Sequence, residues 1–107
     1  SVPGKQITMA HIIASPDEII YKKLGLDPRV DYHRAAIGVL TLTPGETAII
    51  TADLAIKASA IQIGFIDRFS GTLIITGTIS DVNIAFERIL EYTSSELGFT
   101  VCRVTKA

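Results

Sequence analysis

His11, His33 and Cys102 are the side chains of this sequence that could serve as nucleophile, proton carrier or soft metal ligand near neutral pH. They make a poor set. Positions 11, 33 and 102 follow no metal-ligand spacing, and no residue pattern supports a Cys–His nucleophile pair. His11 alternates with Ile7, Met9 and Ile13, a setting in which an imidazole is more often a satisfied, partly buried group than a base. His33 stands beside Arg34 at the start of an apolar run and reads as exposed. Cys102, between Val101 and Arg103, needs no role beyond that of a small buried hydrophobe. Neither a phosphate loop nor a Gly-x-Gly-x-x-Gly run is present. Two polar constellations remain. Asp67, Arg68, Phe69, Ser70 and Gly71 place an acid and a base in a glycine-containing segment between apolar runs, most often a solvated hairpin tip. Asp53 and Lys57, four positions apart, read either as a helix-surface pair worth roughly 0.2–0.5 kcal/mol or as an assembly contact.

The elements that must hold these residues are clearly punctuated. Residues 6–14 read as a strand, and Ser15-Pro16-Asp17-Glu18 starts a short helix that Gly25 stops. After a loop, residues 35–41 form a strand apolar enough to be buried on both faces. Thr43-Pro44-Gly45-Glu46 repeats the cap signature ahead of a helix with Ala48, Ile49, Ala52, Ala55 and Ile56 on one inward stripe. Residues 60–66 and 73–79 are strands joined through the 67–71 hairpin. Ser80 is placed to cap a last helix with Val82, Ala85, Phe86, Ile89 and Leu97 inward; Gly98 ends it, and residues 99–105 form a closing strand. The order β-α-β-α-β-β-α-β implies an α+β domain with a ferredoxin-like core and a β-α unit in front. Strands joined by crossover helices are expected to pair in parallel, with one antiparallel hairpin.

Composition bounds the function. The chain has 107 residues, within the roughly 50–200 of a single domain, so residues 1–107 are read as one. Hydrophobic residues make up 48% and charged residues 20%, which excludes disorder and coiled coil. A net charge of −1 argues against nucleic acid, and Phe65 is the sole aromatic in the strands between residues 35 and 79. Residues 69–80, the longest stretch free of Asp, Glu, Lys and Arg, are too short to span a membrane. Residues 1–5 lack the pattern of a signal peptide, and the single cysteine precludes an internal disulfide; the expectation is a soluble cytoplasmic protein. A mean hydropathy of +0.40 is high for a small domain. It points either to an isoleucine-rich core or to outer surface covered by another molecule.

Several blocks in register resemble the circularly permuted shell proteins of bacterial microcompartments, of the EutS/PduU type. They are Val2-Pro3-Gly4-Lys5-Gln6-Ile7-Thr8-Met9-Ala10-His11, Ala36-Ile37-Gly38, Leu42-Thr43-Pro44-Gly45-Glu46 and Ile63-Gly64-Phe65-Ile66-Asp67-Arg68-Phe69-Ser70-Gly71. The resemblance implies a structural protein, not an enzyme. Six copies would form a cyclic homohexamer with a central pore, tiling with other shell proteins around a compartment in the bacterial cytoplasm. Small polar metabolites would pass while a volatile or toxic aldehyde is retained; ethanolamine, propanediol and choline utilisation are all compatible. The permuted fold agrees with the β-α unit in front, and ring closure would cover the apolar surplus.

By the same resemblance Asp67, Arg68, Phe69, Ser70 and Gly71 line the pore. Around a shared axis, pairing of Asp67 with Arg68 would relieve the crowding of like charges, and Ser70 could hydrogen-bond permeant molecules. Phe69 lies either at the rim or packed beneath it. A loop without cysteine argues against an iron–sulfur cluster, and no cofactor or metal is expected. Lys57, with Asp53 one turn before it, matches the lysine that shell hexamers present at their edges. Related hexamers also carry an edge arginine after the first strand; Ala14-Ser15-Pro16 has none, which points to a minor or bent-edge component. Relatives often carry residues before the Val-Pro-Gly-Lys block that cap one pore mouth; without them the pore would be open. The rival reading is a ferredoxin-like regulatory module, a dimer or trimer binding a small effector.

Overall fold

The computed structural model describes residues 4–14 and 35–107. The helix expected after Ser15, the loop behind it and His33 lie outside the described residues. Five strands and two helices follow one another as β1 (Gln6–Ala14), β2 (Ala35–Thr43), α1 (Thr47–Ala58), β3 (Gln62–Asp67), β4 (Thr72–Thr78), α2 (Ile79–Ser95) and β5 (Thr105–Lys106). One mixed sheet runs in the order β3-β4-β2-β1-β5.

The expected parallel pairing of consecutive strands is not what forms. β1 pairs antiparallel with β2, β2 with β4 and β4 with β3. The α1 crossover does return the chain parallel, but one place further over, so β4 fills the gap between β2 and β3. Among the described strands β5 alone pairs in parallel, against His11 and Ile12 of β1, and an isolated parallel bridge joins Gln6 to Thr100. The closing strand is also shorter than expected, because residues 101–104 carry no strand ladder. Its neighbourhood is nonetheless well tied. The Ile7 N–H donates to the Thr100 carbonyl at 2.9 Å, that of Thr100 to Lys5 at 3.0 Å, and that of Ala107 to Ile12 at 3.0 Å.

Both helices pack on one face of the sheet. The core joins Ile7, Ala10, Ile12, Leu40, Leu42, Leu73 and Ile75 of the strands to Val82, Ala85, Phe86 and Ile89 of α2 and the alanines of α1. On the opposite face Ile37 and Ile74 form a smaller cluster with Ala35 and Val39. A register shift between Ile7 and Met9 turns Ile7 into the core while Met9 stays exposed. Ile7 therefore does not share a face with His11, as simple alternation predicts.

Helix starts also depart from expectation in detail. Ser80 lies inside α2, and Thr78 is its cap: the hydroxyl accepts the Asp81 N–H at 3.1 Å and donates to Asp81 Oδ2 at 3.0 Å. Thr43 still belongs to β2. α1 begins in a turn where the Pro44 and Gly45 carbonyls accept the Thr47 and Ala48 N–H groups at 3.1 and 3.0 Å. Past α2, Gly98 takes φ +71°, and the Phe99 N–H closes the end on the Thr93 carbonyl at 2.8 Å. Among the described residues, no helix is long and apolar enough to cross a membrane.

Candidate functional site

The 67–71 loop closes the β3–β4 hairpin. Asp67 organises it: Oδ1 accepts the Phe69 N–H at 2.9 Å, Oδ2 accepts the Ser70 hydroxyl at 3.0 Å, and the Asp67 carbonyl accepts the Gly71 N–H at 2.9 Å. Those bonds, the Phe69 N–H first and the Ser70 hydroxyl second, favour the ionised carboxylate and hold Asp67 below its ordinary 3.8. Ser70 Oγ also lies 3.0 Å from Thr72 Oγ1. Within the single chain, Asp67 and Arg68 form no ion pair among the described residues. The carboxylate is occupied by its own loop, and the Arg68 guanidinium instead stacks over the Phe69 ring, 5.0 Å from its centroid. Phe69 is 85% exposed in the single chain.

Two neighbours shape the base of the loop. Ile49 of α1 and Ile66 of β3 form, with Asp67, Arg68 and Phe69, a shallow notch of about 290 Å³. On the other side the Leu42 N–H donates to the Gly71 carbonyl at 2.8 Å, stitching the loop to the end of β2.

Asp53 and Lys57 sit together on the outer face of α1. Lys57 Nζ is 2.8 Å from Asp53 Oδ2 with both side chains largely exposed, an arrangement worth at most about 1 kcal/mol to the chain. Lys57 also occupies the last turn of α1, where a cation suits the helix dipole. His11 Nδ1 contacts the Thr105 hydroxyl on the β1–β5 edge. Cys102 is half-buried against the core. Among the described residues, no three His, Cys, Asp or Glu side chains come together as a metal-binding group.

Sequence reasoning misses one surface. Ile49 and Ile56, expected on the inward stripe of α1, are 53% and 56% exposed, and Ile50 is exposed beside them. The inward stripe is Thr47, Ala48, Thr51, Ala52 and Ala55. Ile66, Phe65 and Phe69 add further exposed apolar area. The high mean hydropathy was the signal for this surface, although it could not say where it lay.

The BMC domain model matches residues 36–104. The chain is similar to the bacterial microcompartment shell protein CutR of Streptococcus intermedius, 52% identical over 107 residues, or 100% of this chain and 88% of CutR. It is also similar to the shell protein EutS of Salmonella typhimurium, 49% identical over 106 residues, or 99% of this chain and 91% of EutS. Among solved structures, a CutR flat hexamer superposes with a TM-score of 0.89 at 51% identity, covering 100% of this chain and 94% of that one. A CutR screw of 41.9 Å pitch gives 0.88 at 50% identity, covering 98% and 100%. With the matched segment starting at β2 and β1 placed ahead of it, the chain belongs to the BMC domain family, in the circularly permuted form of the fold.

Proposed function

We propose that this protein is a structural, non-catalytic component of a bacterial microcompartment shell in the bacterial cytoplasm. Six copies close into a ring whose 67–71 loops surround a central pore. Rings join one another and other shell proteins through an edge that includes Asp53 and Lys57, and small polar metabolites cross at the axis. The observation that carries this reading is the likeness, along the whole chain, to a protein solved as a flat hexamer. The bare apolar face of α1 supports it, because Ile49, Ile50 and Ile56, each about half exposed, would each gain roughly half of the 1.5–3 kcal/mol that full burial of an exposed side chain is worth if a neighbour covered them.

The loop suits a pore. Its backbone is fixed by its own hydrogen bonds, so an aperture built from six copies has a defined shape. Asp67 directs its oxygens into the loop, leaving Arg68 and the Phe69 ring as the outermost groups. Six guanidinium groups near one axis would favour neutral polar and anionic metabolites over cations.

Native mass spectrometry at micromolar concentration tests the assembly. About six times the 11.5 kDa chain mass is expected; a stable monomer sinks the proposal, and a dimer or trimer with a ligand-induced thermal shift points to the regulatory module. The likeness to a CutR screw favours a second arrangement, in which the same head-to-tail contact does not close. Mass that keeps growing with concentration beyond six copies is its signature.

A further inference from the structure

The loop that we assign to the pore is held from outside itself, by the turn between β2 and α1. Gly45 in that turn lies against the loop backbone. A Cβ at Gly45 would overlap the Arg68 carbonyl oxygen and stand 3.1 Å from the Gly71 nitrogen. Gly71 faces it with φ +72°, and a Cβ there would stand 3.2 Å from the Gly45 Cα while overlapping the Leu42 carbonyl oxygen. Two backbone segments thus meet where no side chain fits between them.

Which segment yields to an added methyl follows from what anchors each. The Gly45 carbonyl accepts the Ala48 N–H at 3.0 Å, and Ala48 and Ala55 are wholly buried, so the turn cannot retreat without lifting α1 off the core. The base of the loop is fixed at Gly71 by the Leu42 N–H, and at Asp67 and Thr72 by the hairpin ladder. Arg68, Phe69 and Ser70 are exposed and are held by the loop's own bonds to Asp67, with no hydrogen bond beyond the hairpin among the described residues, so the loop can shift with its internal shape kept. The soft part is the rim.

We propose that Gly45, a residue outside the loop, is a positioning residue for the pore. By allowing the closest backbone approach it sets where Arg68 and Phe69 stand, and hence the aperture and charge preference of the ring. This rests on reading the 67–71 loop as the pore lining. A methyl at position 45 displaces the Arg68 carbonyl by about 1 Å or more, because side-chain carbons do not approach backbone oxygens within ordinary contact. Six such displacements act on one opening.

The test compares wild-type, Arg68→Ala and Gly45→Ala rings in planar lipid bilayers under a potassium chloride gradient, with native mass and thermal melting measured on each. Arg68→Ala is expected to shift the reversal potential toward cation preference. Gly45→Ala is expected to keep the six-copy mass while changing single-pore conductance by at least about twofold. A Gly45→Ala ring conducting like wild type, while Arg68→Ala shifts, overturns the positioning role and leaves the pore assignment standing. If neither variant departs from wild type, the pore assignment itself fails. Should Gly45→Ala not assemble, hydrogen exchange on wild-type rings decides. Leu42 and Gly71 amides protected like that of Ile75 in the core support the seam, and Gly71 exchanging as fast as Ser70 overturns it.

Discussion

α1 and α2 lie side by side on the same sheet but distribute their large side chains in opposite ways. α2 buries Val82, Phe86 and Ile89; it exposes Ile79 and Ile84 near its start, and the rest of its outer face is Glu87, Arg88, Glu91, Ser94 and Ser95. α1 buries only alanines and threonines and holds Ile49, Ile50 and Ile56 outward. α2 is thus an anchor within the chain. α1 sits close on its sheet through small residues and leaves its bulk exposed. A helix that contributes little volume to its own core while exposing three isoleucines offers the kind of apolar surface that the ring proposed above would cover.

The sharpest way to break this contrast is Ile50→Glu. It should leave a folded monomer with unchanged circular dichroism and abolish the ring in native mass spectra, whereas Glu87→Ala on α2 should do neither. A ring that survives Ile50→Glu would place the subunit contact elsewhere. Phe86→Ala tests the other half. Phe86 is 1% exposed, so its removal should cost about 3–5 kcal/mol in denaturant unfolding of the chain. Lys57→Ala should change chain stability by no more than about 0.5 kcal/mol and leave rings intact. It should instead weaken ring-to-ring sheets in electron micrographs; loss of the ring would move Lys57 from the edge to the subunit contact.

The smallest effect is a pH response confined to the loop. The folded-state value of Asp67 lies below its ordinary 3.8, so its stabilisation is present above that value and is lost as pH falls through the lower, folded one. The Phe69 and Ser70 amide signals should therefore shift with a midpoint below 3.8 in wild type, and that acid step should be absent in Asp67→Asn.

Much of this was legible in the sequence. Gly71 and Gly98 mark the turns they occupy, the hairpin turn falls where expected except that Asp67 closes β3, and the periodicity of Val82, Phe86 and Ile89 points inward as observed. The misreadings share a physical origin. Local pattern puts Ile49 and Ile56 on the inward stripe of α1 because it assumes that bulk goes to the chain's own core. In the fold alanines and threonines take that stripe and the isoleucines face out. The pairing of β1 with β2 and the turning of Ile7 into the core depend on partners remote in sequence and on a bulge without a composition signal. Asp67 stands beside Arg68 in the sequence, but two donors within the loop, the Phe69 N–H and the Ser70 hydroxyl, occupy its carboxylate.

The stitching of residues 105–107 along β1 has a consequence for solubility. Backbone amides and carbonyls on the far side of β1 would otherwise stand bare as a template for strands from foreign chains. Substitutions that break this pairing would uncover that template without touching the core, leaving an open strand edge of the kind that invites foreign strands. So small a segment works as a guard rail: it adds little to the interior and covers the flank of β1.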